Sequence, residues 1–152
     1  MRFKTLLLTA LFALPASADD DYIKPIADQV TKDECSACHL AFPASMLPKA
    51  SWEKIMANLD NHFGEDASLD VQTTERITEY LIAEAGDTGF WSSKFLRGLD
   101  SQNSPIRITE TQYWIREHRG ISDAKWKSER VGSKANCVAC HRGAERGYYE
   151  DD

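Results

Sequence analysis

The sequence predicts an all-α protein, mainly helical with long loops, arranged as two small lobes. Three observations point there. Apolar side chains recur at helical spacing in several segments, and no strand alternation survives a pass along the chain. Polar, glycine- and proline-bearing stretches separate those segments. One pattern, C-x-x-C-H, stands near each end, as Cys35-Ser-Ala-Cys-His39 and Cys137-Val-Ala-Cys-His141.

C-x-x-C-H is the attachment pattern of haem c. The two thiols, Cys35 with Cys38 and Cys137 with Cys140, add across the haem vinyl groups, and the adjoining imidazole, His39 or His141, becomes the proximal iron ligand. The two copies use all four cysteines of the chain. A zinc site or a pair of redox dithiols also uses C-x-x-C, but neither explains a histidine directly after both second cysteines. Each lobe is therefore expected to bear one covalent haem, in the manner of a cytochrome c. Of the four histidines, only His62 and His118 remain as distal ligands. His62 follows His39 by 23 positions and His118 precedes His141 by 23, so the order is mirrored rather than duplicated. Local pairing, His39 with His62 and His118 with His141, is expected; exchange between lobes also fits that order.

Residues 1–18 read as a secretory signal peptide: Arg2 and Lys4, an apolar run from Leu6 to Leu14, then Ala16-Ser-Ala18 as the cleavage site. The run is too short to span a bilayer, and nothing later approaches the roughly 20 apolar residues a span requires. Cleavage after Ala18 and a periplasmic location are expected, in keeping with attachment of haem c outside the bacterial cytoplasm. Removing 18 of the 152 residues leaves 134, about 67 per haem, where a core of side chains alone is marginal. The haems should then form part of the core and the apoprotein should be largely unfolded. The net charge of -6 falls to -8 without Arg2 and Lys4, which disfavours nucleic acid and anionic lipid as partners. A basic surface on another redox protein suits it better, although such a charge also simply aids solubility.

The N-terminal lobe is expected over 19–86. A weak helix through Ile23, Ile26, Ala27 and Val30, interrupted by Pro25, delivers the chain to Cys35, and a three-residue spacing turns Cys35 and Cys38 the same way. A loop follows from Phe42 to Pro48. Ser51 reads as an N-cap for a helix with Trp52, Ile55, Met56 and Leu59 inward, and His62 extends that stripe. A histidine on an apolar face is more often a hydrogen-bonded core residue than a ligand; here a haem wants a second ligand, with Met46 and Met56 as rivals. After a turn at Gly64, Thr73 or Thr74 opens a helix carrying Ile77, Leu81 and Ala85, stopped by Gly86. Tyr80 suits either the haem periphery or ordinary core.

The C-terminal lobe is expected over 87–152. Gly86 to Gly89 marks the boundary and 99–105 a second polar break, with a short bridging helix through Phe90, Trp91, Phe95 and Leu96 between them. Thr109 with Gln112 fits a capping box for a helix ending at Gly120. It places Trp114 and His118 four apart on one face, an indole to wall the haem and an imidazole for iron. Ser122 opens a short helix with Trp126, Ser133 caps the turn of the second motif, and Tyr148 to Asp152 should be a solvated end.

The phrases around these histidines narrow the family. Trp52 to Tyr80 with Asn61-His-Phe-Gly-Glu-Asp-Ala67, then Arg107-Ile-Thr, Tyr113-Trp114, His118 and Ser133-Lys-Ala-Asn-Cys-Val-Ala-Cys-His141, resemble the small secreted dihaem cytochrome c family over nearly the whole mature chain. That resemblance implies two bis-histidine haems and electron transfer. It also implies, as partners, a small haem protein able to bind oxygen and a membrane b-type cytochrome.

With four histidines for two irons, both haems should be six-coordinate, low-spin and of fairly low potential. The expected function is a periplasmic electron carrier, a monomer without stable membrane insertion, and not an enzyme. The alternative is a small dihaem peroxidase or reductase in which one haem opens a coordination site. A gas or redox sensor is a third class, for which an output domain is missing.

Overall fold

Helix and turn alone make up the regular structure of the computed structural model, which describes residues 22–90, 93–99 and 104–150. Five α-helices occur among them: α1 (Gln29–Ser36), α2 (Lys49–Met56), α3 (Val71–Ala83), α4 (Gln112–Glu117) and α5 (Asp123–Trp126), with six short 3₁₀ turns, two of which follow α5. Among the described residues there is no strand, only the isolated bridges Tyr22 to Tyr148 and His62 to Glu65. The all-α expectation holds. The leader expected at 1–18 lies outside the described residues, as do Trp91 of the bridging helix and 100–103 of the polar break. No described helix is long and apolar enough to cross a membrane.

Helices α2 and α3 form the principal contact. Trp52 and Met56 of α2 meet Ile77 and Leu81 of α3, with Ile26, Ala44, Leu47 and Ala85 closing the cluster. Burying Ile77 and Leu81 contributes roughly 1.5–3 kcal/mol each. Trp52 is positioned as well as buried, since its indole N–H donates to the Ala44 carbonyl at 2.8 Å. The Tyr80 hydroxyl accepts from the Ala27 N–H at 2.8 Å and so ties α3 to the entry of α1.

Helix starts differ from expectation by one local rule, that the cap is the residue whose side chain reaches a free N–H. Asp70 accepts from Thr73 N–H and opens α3 earlier than the threonines. Thr111, not Thr109, caps α4 by accepting from Trp114 N–H, and the residues before it form a 3₁₀ turn, Ile108–Glu110. Helix α2 opens at Pro48, leaving Ser51 inside it and fully buried. Ser51 Oγ instead donates to the Pro105 carbonyl at 2.7 Å, joining the two halves of the chain. Ser122 caps α5 as expected.

A second cluster gathers Ile23, Met46 and Phe95 with Ile108, Tyr113 and Tyr149, residues drawn from both halves. Gly86 lies where the chain turns between them. Its N–H donates to Leu47 and its carbonyl accepts from Ser93, and a Cβ would sit on the Ser45 carbonyl oxygen. The C-terminal tail is not a free solvated end. The Tyr148 ring lies against Tyr22, centroids 5.3 Å apart and planes tilted by 57°, and Tyr149 is half-buried in the second cluster.

Candidate haem sites

Helix α1 carries the first motif. Its cap, Asp28, accepts from the Thr31 amide at 2.9 Å and the Thr31 hydroxyl at 3.0 Å, and receives Arg76 of α3 at 2.8 Å. Arg76 first, then the Thr31 amide, hold the Asp28 carboxyl down at about 2. Cys35 lies in the last turn, half-buried; desolvation, with a smaller push from Glu34, raises its thiol to about 11. Cys38 and His39 follow beyond the helix. The His39 ring stacks on Phe42 with centroids 5.0 Å apart. Its Nδ1 donates to the Leu40 carbonyl at 2.7 Å, and a ring whose Nδ1 carries the hydrogen offers Nε2 to a metal.

His62 does not continue the α2 stripe. That helix ends at Met56, Asn58 breaks the register, and His62 follows a 3₁₀ turn, Leu59–Asn61, with backbone φ -72° and ψ 85°. Exchanged hydrogen bonds with Glu65, 2.7 and 3.2 Å, fix its main chain. The turn delivers its ring to His39, centroids 6.1 Å apart and planes 14° from parallel. Burial lowers the proton affinity of His62, assisted by His39 and then by the charge of Arg107. Phe63 beside it is the one non-glycine residue with positive φ among those described, at 59°, a conformation costing on the order of 1–3 kcal/mol.

The second site is built by α4, α5 and the tail. Trp114 stacks flat on His118, centroids 4.2 Å apart and planes 13° from parallel, and Trp126 of α5 lies 5.9 Å from the same histidine. His118 Nδ1 donates to the Trp114 carbonyl at 2.8 Å. These side chains line a cavity of about 500 Å³, with Thr109 and Glu110 on its wall. The second motif folds as a 3₁₀ turn, Cys137–Ala139, closed by His141 N–H on the Cys137 carbonyl at 2.8 Å. His141 Nδ1 donates to the Glu150 carbonyl at 3.1 Å. The rings of His118 and His141 are again 6.1 Å apart, now 85° from parallel. Burial pushes the Cys137 thiol to about 11. It also pushes the Tyr149 hydroxyl well above the ordinary phenol value, with Cys137 adding to it, and that hydroxyl is buried without a hydrogen-bond partner among the described residues.

The arrangement suits an iron between each pair of rings. Two metal to nitrogen bonds of about 2 Å and the reach from each ring centre to its nitrogen bring the centroids to roughly 6 Å. The cavity of about 500 Å³ borders His118 and leaves room for a large group on that side of the second site, although Cys137, Cys140 and His141 do not line it. None of the four cysteines is in a disulfide, and no cluster of three or more Cys, His, Asp or Glu side chains that could hold a bare metal ion exists among the described residues. The rival ligands Met46 and Met56 are both buried in core clusters. Sequence reading missed Phe42, Phe63, Arg107 and the Glu150 carbonyl. The aromatic residues had a signal, since each lies within three positions of a histidine; the carbonyl had none, because any residue supplies one.

The comparisons with known proteins agree. The sequence profile described as "Dihaem cytochrome c" matches residues 31–149. Among solved structures, the diheme cytochrome c from Rhodobacter sphaeroides is 45% identical with a TM-score of 0.76, covering 82% of this chain and 98% of that one. DHC purified from Rhodobacter sphaeroides is 43% identical over the same shares, with a TM-score of 0.67. The diheme cytochrome from Shewanella baltica OS155 is 37% identical with a TM-score of 0.65, covering 80% of this chain and 86% of that one. No curated protein matches. The chain therefore belongs to the dihaem cytochrome c family and carries two covalently attached haem c groups.

Proposed function

We propose that the protein is a periplasmic electron carrier whose two low-spin haems are each held between two imidazoles, His39 with His62 and His118 with His141, on the thioethers of Cys35, Cys38, Cys137 and Cys140. The observation that carries this reading is the 6.1 Å separation within both histidine pairs. The bound haem supplies a one-electron ferric and ferrous couple. With haem bound, His39 and His62 at one iron and His118 and His141 at the other would leave no place for oxygen, peroxide or nitrite. Three of the four rings are anchored through Nδ1 to backbone carbonyls, so they keep their orientation as the iron charge changes.

The leader-like sequence at 1–18 supports a location outside the cytoplasm, and the net charge of -6 with those residues included favours a partner of opposite sign. A small oxygen-binding haem protein and a membrane b-type cytochrome are the partners this reading offers, met through a polar, salt-sensitive contact. An EPR-monitored redox titration of the oxidised protein tests the ligands: two low-spin signals are expected and no high-spin iron. Carbon monoxide added to the reduced protein should leave its absorption spectrum unchanged. High-spin iron or a carbon monoxide adduct in the native protein would overturn the carrier assignment.

A further inference from the structure

Three of the four histidine rings share one anchoring device, Nδ1 on a backbone carbonyl: Leu40 for His39, Trp114 for His118 and Glu150 for His141. The His62 ring makes no such bond among the described residues. Its plane nevertheless lies 14° from that of His39. Phe63, in the left-handed backbone conformation, places its ring edge-on to His62 with centroids 4.8 Å apart and planes at 64°. The guanidinium of Arg107 covers the Phe63 ring, its carbon 4.0 Å from the centroid. Glu110, on the wall of the cavity beside His118, faces the same guanidinium, its carboxylate 3.7 Å from Nε. The Arg107 carbonyl accepts from Glu110 N–H at 3.0 Å, which fixes where the side chain starts.

We propose that Phe63 and Arg107 are the positioning pair of the N-terminal haem: stacked one on the other, they hold the His62 ring parallel to His39 in place of the missing carbonyl bond. The pair crosses the chain, since Arg107 comes from the half that builds the other haem site. Two physical effects belong to it. The stack fixes a ring plane, because a guanidinium over an aromatic face is held both electrostatically and by dispersion. With haem bound at His39 and His62, the positive charge of Arg107, partly offset by Glu110, would favour the ferrous state of that iron, which is less positive when reduced.

Ring planes are readable in the oxidised protein. In low-spin ferric iron the unpaired electron occupies a pair of d orbitals that overlap the imidazole π systems. Parallel rings act on one orbital of the pair and split it widely, giving a rhombic EPR signal with resolved turning points. Perpendicular rings act on one orbital each and leave the pair nearly degenerate, giving a strongly anisotropic signal with one low-field feature. The angles of 14° and 85° assign the first signal to the N-terminal haem and the second to the C-terminal haem.

The test compares the haem-loaded full-length protein with R107Q, R107K, F63A and F63L, by EPR and by a redox titration that follows both haems. R107Q should lower the potential of the N-terminal haem alone and shift or broaden the rhombic signal. R107K should restore the potential, because the charge returns, without restoring the signal, because an ammonium does not stack as a plane. F63A and F63L should alter the rhombic signal, and the anisotropic signal should stay constant in every variant as the control on folding. The inference is overturned if the rhombic signal and its potential are unmoved in R107Q, F63A and F63L, or if both haems change together. It rests on the bis-histidine reading, and high-spin iron in the unsubstituted protein would overturn both. Low-spin iron with unresponsive variants would overturn the clamp alone.

Discussion

The N–H of Ile23 donates to the carbonyl of Gly147 at 2.8 Å, so the start of the described chain is fastened to its end. Gly147 has a φ of 88°, and a Cβ there would collide with the Ile23 carbonyl oxygen. Gly147→Ala should cost on the order of 1–3 kcal/mol from backbone strain, with the collision in addition. The tail it releases carries the Glu150 carbonyl that anchors His141. Thermal unfolding should therefore move to lower temperature, with the EPR signal of the C-terminal haem broadened before that of its neighbour. A variant as stable as the parent would refute the clasp.

Thr111 is fully buried and does two things: its hydroxyl donates to the Ile108 carbonyl at 2.8 Å and accepts from Trp114 N–H at 3.2 Å. It thereby starts the helix that presents Trp114 and His118. Thr111→Val keeps the shape and removes both bonds, for an expected loss of about 1–2 kcal/mol. Thr111→Ser should recover most of it. Denaturant unfolding of the three proteins measures the difference.

The two distal histidines should be separable by gas binding. His62→Gly should open the N-terminal iron alone, so that carbon monoxide shifts about half of the reduced haem absorption. His118→Gly should do the same for the C-terminal iron, now beside Trp114 and Trp126. A response from both haems in either variant would contradict independent local pairs.

Acid should loosen α1 in a defined window. Asp28 has its carboxyl lowered from 3.8 to about 2 by Arg76 and the Thr31 amide. The folded state therefore prefers the charged form, and its contribution is complete above about pH 4 and lost as the pH falls toward 2. The gap in unfolding midpoint between the parent and Asp28→Asn should be present at pH 5 and close across that window. Because the pair is partly exposed, added salt should narrow the gap as well.

Much of this architecture was legible in the sequence, for reasons that differ by residue. Ile77 and Leu81 lie four apart on an uninterrupted helix, so periodicity placed them in the core. His62 failed the same test, because Asn58 ends the helical register between it and Trp52. The caps at Ser51 and Thr109 were misplaced because a hydroxyl near a helix start is a candidate cap wherever it stands. Tertiary contacts decided between candidates: Ser51 is taken by the Pro105 carbonyl. The tail was read as solvated because its value lies in the Tyr149 ring and the Glu150 main chain, which composition cannot weigh.

Counting along the chain, 23 positions separate the two histidines of each pair. Drawing together the ends of such a segment costs roughly 3 kcal/mol of chain freedom in an ideal flexible loop, and equally at either metal. Polymer statistics thus give neither centre an advantage in recapturing a detached imidazole. Any difference in how readily the two irons lose and regain their outer ligand must come from the immediate walls: a stacked indole with a second indole beside it at one, and an arginine-capped phenyl ring at the other.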